Sequence, residues 1–296
     1  MARNQKVCTI SISRLTFILL VVTATLSACA QISGTRAPPE SAAIPKERIA
    51  AIVASPDRRP ADRTEDQRRK PEQILEFIGV RTGMTALDLS AGRGYTTELL
   101  ARAVGPGGRV YGQSAPRNPN AAPPPSPEGG AATNPAQTAA PRPASVPSSV
   151  ALAERARNPA LSHIVPIVRP FEDPVPQEVA SNGLDLVTFM FNYHDMGDLQ
   201  VDRARLNGAV FAALKPGGMY VIADHSGRSG TGISESGTLH RIEEAFLRQE
   251  VEAAGFVLAA QGNFLRNPSD TRDKNRPEPP QPKDEFILKF IKPSGK

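Results

Sequence analysis

The sequence predicts an α/β protein built on a doubly wound, seven-stranded sheet. Three observations carry that expectation. Short apolar runs alternate with stretches of helical spacing from Pro71 onwards, the pattern of strands connected by helices. Leu184 to Phe191 is apolar almost throughout, as suits a central parallel strand buried on both faces. Ala86-Leu87-Asp88-Leu89 reads as the end of a buried strand, Ser90 to Gly94 as a tight turn, and Tyr95 to Ala103 as a helix. That order is the first half of a nucleotide-binding βαβ unit. With the low-complexity segments set aside, roughly 200 residues remain, enough for one well-cored domain. No internal repeat interrupts them.

The chain begins with a segment of another kind. Residues 1–14 carry Arg3, Lys6 and Arg14 and no acid, and Leu15 to Leu26 is a twelve-residue apolar run containing three threonines. Such a run is too short to span a bilayer and has the layout of a secretory signal. It ends in Leu26-Ser27-Ala28-Cys29, which resembles the lipobox of bacterial lipoproteins. The resemblance implies cleavage before Cys29, a lipid on its sulfur, export, and anchoring to a membrane on the periplasmic side. The expected organisation is a signal peptide over 1–28, a tether over 29–45 rich in Ala, Pro, Ser and Gly, and one domain over 46–296. Cys8 leaves with the signal and Cys29 carries the lipid, so no disulfide forms within one mature chain. Loss of the signal removes three positive charges and takes the formal balance from +5 to +2. The high pI is therefore partly a property of the signal, and no nucleic-acid-binding patch is implied.

Lys46 to Ala54 places Ile49, Ile52 and Val53 on one face and predicts a short helix. The charged stretch from Asp57 to Lys70 predicts a solvated helix with surface ion pairs. A sharper alternative places Asp62, Asp66 or Arg69 over the ligand site. Pro71 to Ile78 is the next helix, and Gly105-Pro106-Gly107-Gly108 breaks the one that follows the glycine turn. Arg109 to Gln113 is the second strand. Ser114 to Ser149 holds ten prolines in thirty-six residues and almost no large apolar side chain. It cannot bury enough surface to offset its ordering entropy, which predicts a disordered insertion. Val150 to Arg157 resumes as helix and Ile164 to Val168 is the third strand. After the fourth, Arg203 to Leu214 is helical, Lys215-Pro216-Gly217-Gly218 stops it, and Met219 to Ala223 is the fifth. Glu235 to Ala254 reads as one helix, with Leu239, Ile242 and Phe246 on one face and Gly255 as its stop. Phe256 to Ala260 and Glu285 to Ile291 close the sheet.

The glycine turn narrows the class. A dinucleotide fingerprint needs a third small residue at position 97 for close helix–strand packing, and this chain has Thr97. Gly92 and Gly94 remove two Cβ atoms where a ligand meets the backbone, and the N–H groups of the helix start point to the same place. The stretch resembles motif I of the class I S-adenosylmethionine-dependent methyltransferases, an acid followed by a Gly-x-Gly loop. The likeness extends to Gly94-Tyr95-Thr96-Thr97-Glu98, Asn192-Tyr193-His194-Asp195, Ala223-Asp224-His225-Ser226 and Leu239-His240-Arg241, which resemble motifs of a bacterial group of predicted class I methyltransferases. It implies a Rossmann-like doubly wound seven-stranded sheet of the class I methyltransferase type, an S-adenosyl-L-methionine cofactor and a small-molecule substrate. Asp88 then matches the acid beside the cofactor's amino-acid end, with Ser90, Gly92, Gly94, Tyr95 and Asn192 around it. Ser90 stands where the family usually has glycine. Gln113 stands where such folds place an acid on the ribose hydroxyls, and it lacks the charge. Asp173 is the candidate for the adenine amino group.

Three of the four histidines fall where a doubly wound sheet places its ligand, outside the carboxyl ends of the strands. His194 follows the fourth strand with Asp195, His225 follows the fifth with Asp224, and His240 is expected on the next helix, facing Glu243 or Glu244. His163 reads as surface. Methyl transfer to a hydroxyl or amine needs a base, and His194 or His225 suits that task, with Asp195 or Asp224 orienting the imidazole and His240 contacting substrate. Histidines with a carboxylate also suit zinc or iron, but these residues lie on separate elements, and their spacing alone assigns no metal ligand. The alternative functions are a ligand-binding lipoprotein without methyl transfer and a metal-dependent enzyme using the His/Asp cluster. The sequence sets neither the methyl acceptor nor the oligomeric state.

Overall fold

The protein, a computed structural model, is described over residues 42–116 and 146–295. The signal, Cys29 and most of the proline-rich insertion lie outside those residues. Seven strands form one sheet: β1 (Thr85–Leu89), β2 (Arg109–Ser114), β3 (Ile164–Val168), β4 (Leu184–Met190), β5 (Leu214–His225), β6 (Val257–Gly262) and β7 (Glu285–Ile291). Their order is β3-β2-β1-β4-β5-β7-β6. The first five pair in parallel, while β7 lies antiparallel between β5 and β6. A loop rather than a crossover helix joins β6 to β7, which is the connection that antiparallel neighbours allow. Strand order reverses between β1 and β4, and the crevice outside the carboxyl ends there is where such sheets bind ligands.

The helices are α1 (Lys46–Val53), α2 (Pro60–Arg69), α3 (Pro71–Ile78), α4 (Tyr95–Val104), α5 (Ser148–Arg155), α6 (Asp195–Asp198), α7 (Arg203–Ala213), α8 (Ser236–Leu239) and α9 (Glu244–Ala253). Side chains alternate across the strands, so neighbouring residues feed different cores. Ala86, Leu186, Val221 and Ile287 pack with Ile49, Ile52, Leu75, Ile78 and Leu100 from α1, α3 and α4. Leu87, Val187, Tyr220 and Leu288 pack with Leu206, Val210, Leu247 and Val251 from α7 and α9. Each such fully buried aliphatic side chain stabilises the fold by roughly 1.5–3 kcal/mol relative to exposure.

Three boundaries differ from the sequence reading. Ile44, assigned to the tether, is buried, and its N–H donates to Val80 O at 2.9 Å, so the domain begins before residue 46. The expected insertion starts and ends inside regular elements, since Ser114 completes β2 and α5 opens at Ser148. The single helix over 235–254 is two helices. His240 caps α8 with a left-handed φ of 51°, and Ile242 then bridges Ser226 beside the end of β5. Arg241, fully buried, pairs with Asp270 at 2.9 Å. These tertiary contacts override a locally plausible helix.

The two turn glycines separate in role. At Gly92 (φ +56°) an added Cβ meets nothing closer than Ser90 O at 3.9 Å, so this position is open. At Gly94 (φ +86°) it meets Leu152 Cδ1 at 2.7 Å and Arg155 Cδ at 2.9 Å. Gly94 therefore makes room for α5. Gly94→Ala adds left-handed strain to this clash and is expected to destabilise the fold by about 2–4 kcal/mol. Urea unfolding monitored by circular dichroism measures it.

Candidate functional site

Beneath the turn, Asp88 is buried and both its oxygens are taken. Thr97 Oγ1 donates to one at 2.6 Å and Thr188 Oγ1 to the other at 2.8 Å. Burial pushes the Asp88 carboxyl up to about 6 against the pull of those two hydrogen bonds. Asp88 thus ties β1 to α4 and β4 beneath the loop. Gln113 is likewise committed: its Oε1 accepts from Ser90 N at 2.9 Å and its Nε2 donates to Arg169 O at 2.6 Å. It braces Ser90, which is held at a left-handed φ of 49°, so both ends of its amide have a structural task in addition to the contact expected of it. Asp173 pairs with Arg169 in an exposed contact outside the end of β3, with its carboxylate already engaged.

The charged α2 keeps the solvated face and ion pairs expected from its composition, but its other face is engaged with the protein. Arg58 and Asp62 are buried at 3% and 8% exposure. Arg58 makes a bidentate pair with Asp66 at 2.8 Å, and Tyr95 Oη donates to the same carboxylate at 2.6 Å. Asp62 pairs with Arg155 of α5 at 2.6 Å. Arg69 lies with its guanidinium 5.0 Å from the ring centres of both Tyr95 and Phe191. Its Nε is buried without a hydrogen bond, and burial together with the Arg68 charge lowers its pKa. Arg68 sits over the Phe191 ring at 5.1 Å and donates to Glu285 Oε1 at 2.8 Å. Tyr95 opens α4 after the β1 loop, Phe191 follows β4, and Glu285 at the start of β7 pairs with His225 at the end of β5, so α2 lies across the carboxyl ends of these strands. Sequence reasoning named Arg69 only as an alternative and missed Arg68, Phe191 and Glu285. Phe191 is aimed by a left-handed φ of 63°, which its local sequence gives no reason to expect.

The structure brings the predicted His/Asp set together at the carboxyl ends of β4 and β5. Asp224 is fully buried and accepts from His194 N at 2.7 Å, His194 Nδ1 at 2.6 Å and His225 N at 2.8 Å. His194 Nε2 faces Asp195 Oδ1 at 3.1 Å. His240 Nδ1 lies 3.5 Å from the same oxygen, and its ring stands edge-on to that of His194 with centres 5.7 Å apart. His240 thus faces Asp195, not Glu243 or Glu244, which corrects the helical expectation. Asn192 Nδ2 donates to Asp195 Oδ2 at 3.1 Å. Ser236 Oγ of α8 donates to His194 O at 2.5 Å and fixes the loop from behind. His163 is half-buried rather than at the surface, with Nε2 2.7 Å from Ala101 O.

Protonation follows from these neighbours. Burial disfavours the charged His194 ring, but Asp224 and Asp195 outweigh it and raise its pKa to about 10. Asp195, despite burial, is drawn down to about 2 by the His194 charge. Asp224 and Asp195 thus favour the charged form of His194, which argues against the base role expected of it. His225 is held well below the usual imidazole range by burial and by the positive charges of Lys283, His194 and Arg68. Its Nδ1 lies 3.1 Å from Glu285 Oε1.

This sheet order, with its antiparallel seventh strand, is that of the class I methyltransferase fold. Comparison with solved structures agrees. The chain is similar to a SAM-dependent methyltransferase from Aquifex aeolicus, with TM-score 0.51 and 15% identity over 84% of this chain and 99% of that one. It is similar to geranyl diphosphate C-methyltransferase from Streptomyces coelicolor A3(2), with TM-score 0.51 and 14% identity over 82% and 87%. The [4+2]-cyclase SpnF matches at TM-score 0.51 and 15% identity over 77% and 82%. At these identities the likeness is one of fold. No family model and no curated protein matches the sequence.

Burial pushes the Glu285 carboxyl up to about 7 from 4.5, even beside Arg68. The folded chain therefore holds this proton more tightly than the unfolded chain does. Its stabilising contribution is full below about pH 4.5 and is lost as pH rises through 7. Glu285→Gln is expected to lose less stability than the parent protein across that window, as measured by urea unfolding at stepped pH.

Proposed function

We propose that this protein is an S-adenosylmethionine-dependent methyltransferase acting on a small molecule. The carrying observation is the open backbone at Gly92, in the loop after β1, together with the guanidinium of Arg69 packed against Tyr95 and Phe191. Arg69 is partly exposed and its Nε lies 3.6 Å from Glu65 Oε2; a guanidinium with donors left over suits a carboxylate, such as the one at the cofactor's amino-acid end. Ser90, Gly92, Tyr95 and Asn192 lie on the loops bordering this place, with Asp88 supporting the turn from below. Methyl transfer needs the acceptor held in line with the methyl group and water excluded. The α2 strap covers the crevice, and Asp195 and His240 offer polar contacts to an acceptor beside it. The geranyl diphosphate enzyme, crystallised with Mg2+, geranyl diphosphate and S-adenosyl-L-homocysteine, supports a small organic acceptor on this fold.

Export and a lipid on Cys29 are part of the same proposal, supported by the basic amino terminus, the apolar run and Leu26-Ser27-Ala28-Cys29. Among the described residues no helix is long and apolar enough to cross a membrane. Mass spectrometry of the membrane fraction should find a lipidated amino-terminal Cys29, and Cys29→Ser should abolish that species. A second reading, ligand binding without methyl transfer, is favoured by one observation: Gln113 is spent on Ser90 and Arg169 where a ribose-binding acid would stand.

Calorimetric titration with S-adenosylmethionine and S-adenosylhomocysteine tests the cofactor. Micromolar binding to both is expected, and absence of binding to either overturns the proposal. Gly92→Ala introduces about 1–2 kcal/mol of backbone strain without a clash. It should weaken the titrated affinity at least about tenfold, about 1.4 kcal/mol, while the protein stays folded. Binding without turnover on any acceptor panel would leave the second reading in place.

A further inference from the structure

We propose that His194, Asp195 and His240 form a binding site for a divalent transition metal of the zinc or iron(II) kind. One nitrogen or oxygen from each of the three residues lies within 4.8 Å of the other two. The separations to Asp195 Oδ1 are 3.1 Å from His194 Nε2 and 3.5 Å from His240 Nδ1. A metal about 2.0–2.2 Å from each ligand sets neighbouring donor atoms roughly 3.0–3.5 Å apart, so both separations already fit. A shift of the His240 ring by about an ångström closes the third side to that spacing. Its side chain stands just past the end of the four-residue α8 at 22% exposure.

A second observation concerns the buried side of the cluster. A metal-bound histidine commonly gives its other ring N–H to a carboxylate, which fixes the ring's orientation. Asp224 does this to His194, at 2.6 Å and with no solvent exposure, leaving Nε2 aimed at Asp195 and His240. Two imidazoles and one carboxylate select zinc or iron(II) over magnesium or calcium, which take oxygen donors. The exposed faces of Asp195 and His240, at 32% and 22%, leave the remaining coordination positions open to an oxygen or nitrogen of a second molecule. Metal binding replaces the Nε2 proton of His194, which passes to solvent. The site then acts as a Lewis acid that orients an acceptor. This inference stands apart from the cofactor reading, since neither the ligands nor the test involves the nucleoside.

The test is calorimetric titration of the metal-stripped protein with zinc, with no nucleoside present, and the visible spectrum of the cobalt-loaded form. The expected result is one zinc per chain with micromolar or tighter affinity, and cobalt bands characteristic of nitrogen and oxygen ligation. His240→Ala and Asp195→Asn, both at partly exposed positions, should each weaken zinc at least tenfold, while His163→Ala should not. Binding weaker than about 100 μM, or affinity unchanged in both site variants, overturns the proposal. Failure of S-adenosylhomocysteine to bind would leave the zinc result standing, and loss of zinc binding would leave the cofactor result standing.

Discussion

The site depends on one buried carboxylate. Asp224, at the end of β5, receives three N–H groups: two from His194 and one from His225. Each hydrogen bond to a charged group contributes more than a neutral one, and an unpaired carboxylate there would carry a large desolvation cost. The contact closes the loop after β4 onto the end of β5 and points His194 Nε2 outward. Without it, Asp195 and His240 would be loop residues with no common centre. Because Asp224 is satisfied from within the chain, the orientation of His194 precedes any ligand.

Around that centre the chain uses charge as packing. The α2 strap carries few apolar residues, and it is seated by Arg58–Asp66, Asp62–Arg155 and Arg68–Glu285, with guanidinium groups over Tyr95 and Phe191. Buried ion pairs largely offset their own desolvation and add modest net stability. They do specify position, since a displaced strap would leave several buried charges unpaired. A lid held by such balanced terms can be placed accurately and still be displaced at moderate cost.

The fold itself leaves the chemistry open. Two methyltransferases and a [4+2]-cyclase share it at similar TM-scores, so the site, not the sheet, must carry the functional argument. The site here has two distinct halves. One is the open turn at Gly92, with Arg69 packed against Tyr95 and Phe191. The other is the His194, Asp195 and His240 cluster, whose side chains converge from two different loops.

What this chain's sequence determined by itself was its strands, most of its longer helices and their order. Apolar periodicity of two or of 3.6 residues is local, and turn chemistry is local, so Ile164–Val168 and Pro71–Ile78 were readable to the residue. The grouping of His194 with Asp224 followed from topology, since both end neighbouring parallel strands. Tertiary structure alone decided which charges are buried and which residues they meet. Arg68 and Glu285 are 217 positions apart, and nothing in the composition of α2 distinguishes a strap from a solvated helix. The same holds for Gln113, bound to the backbone of two loops, and for His240, turned by the burial of Arg241 next to it. Their roles come from long-range pairing and desolvation, and those exist only once the chain has closed on itself.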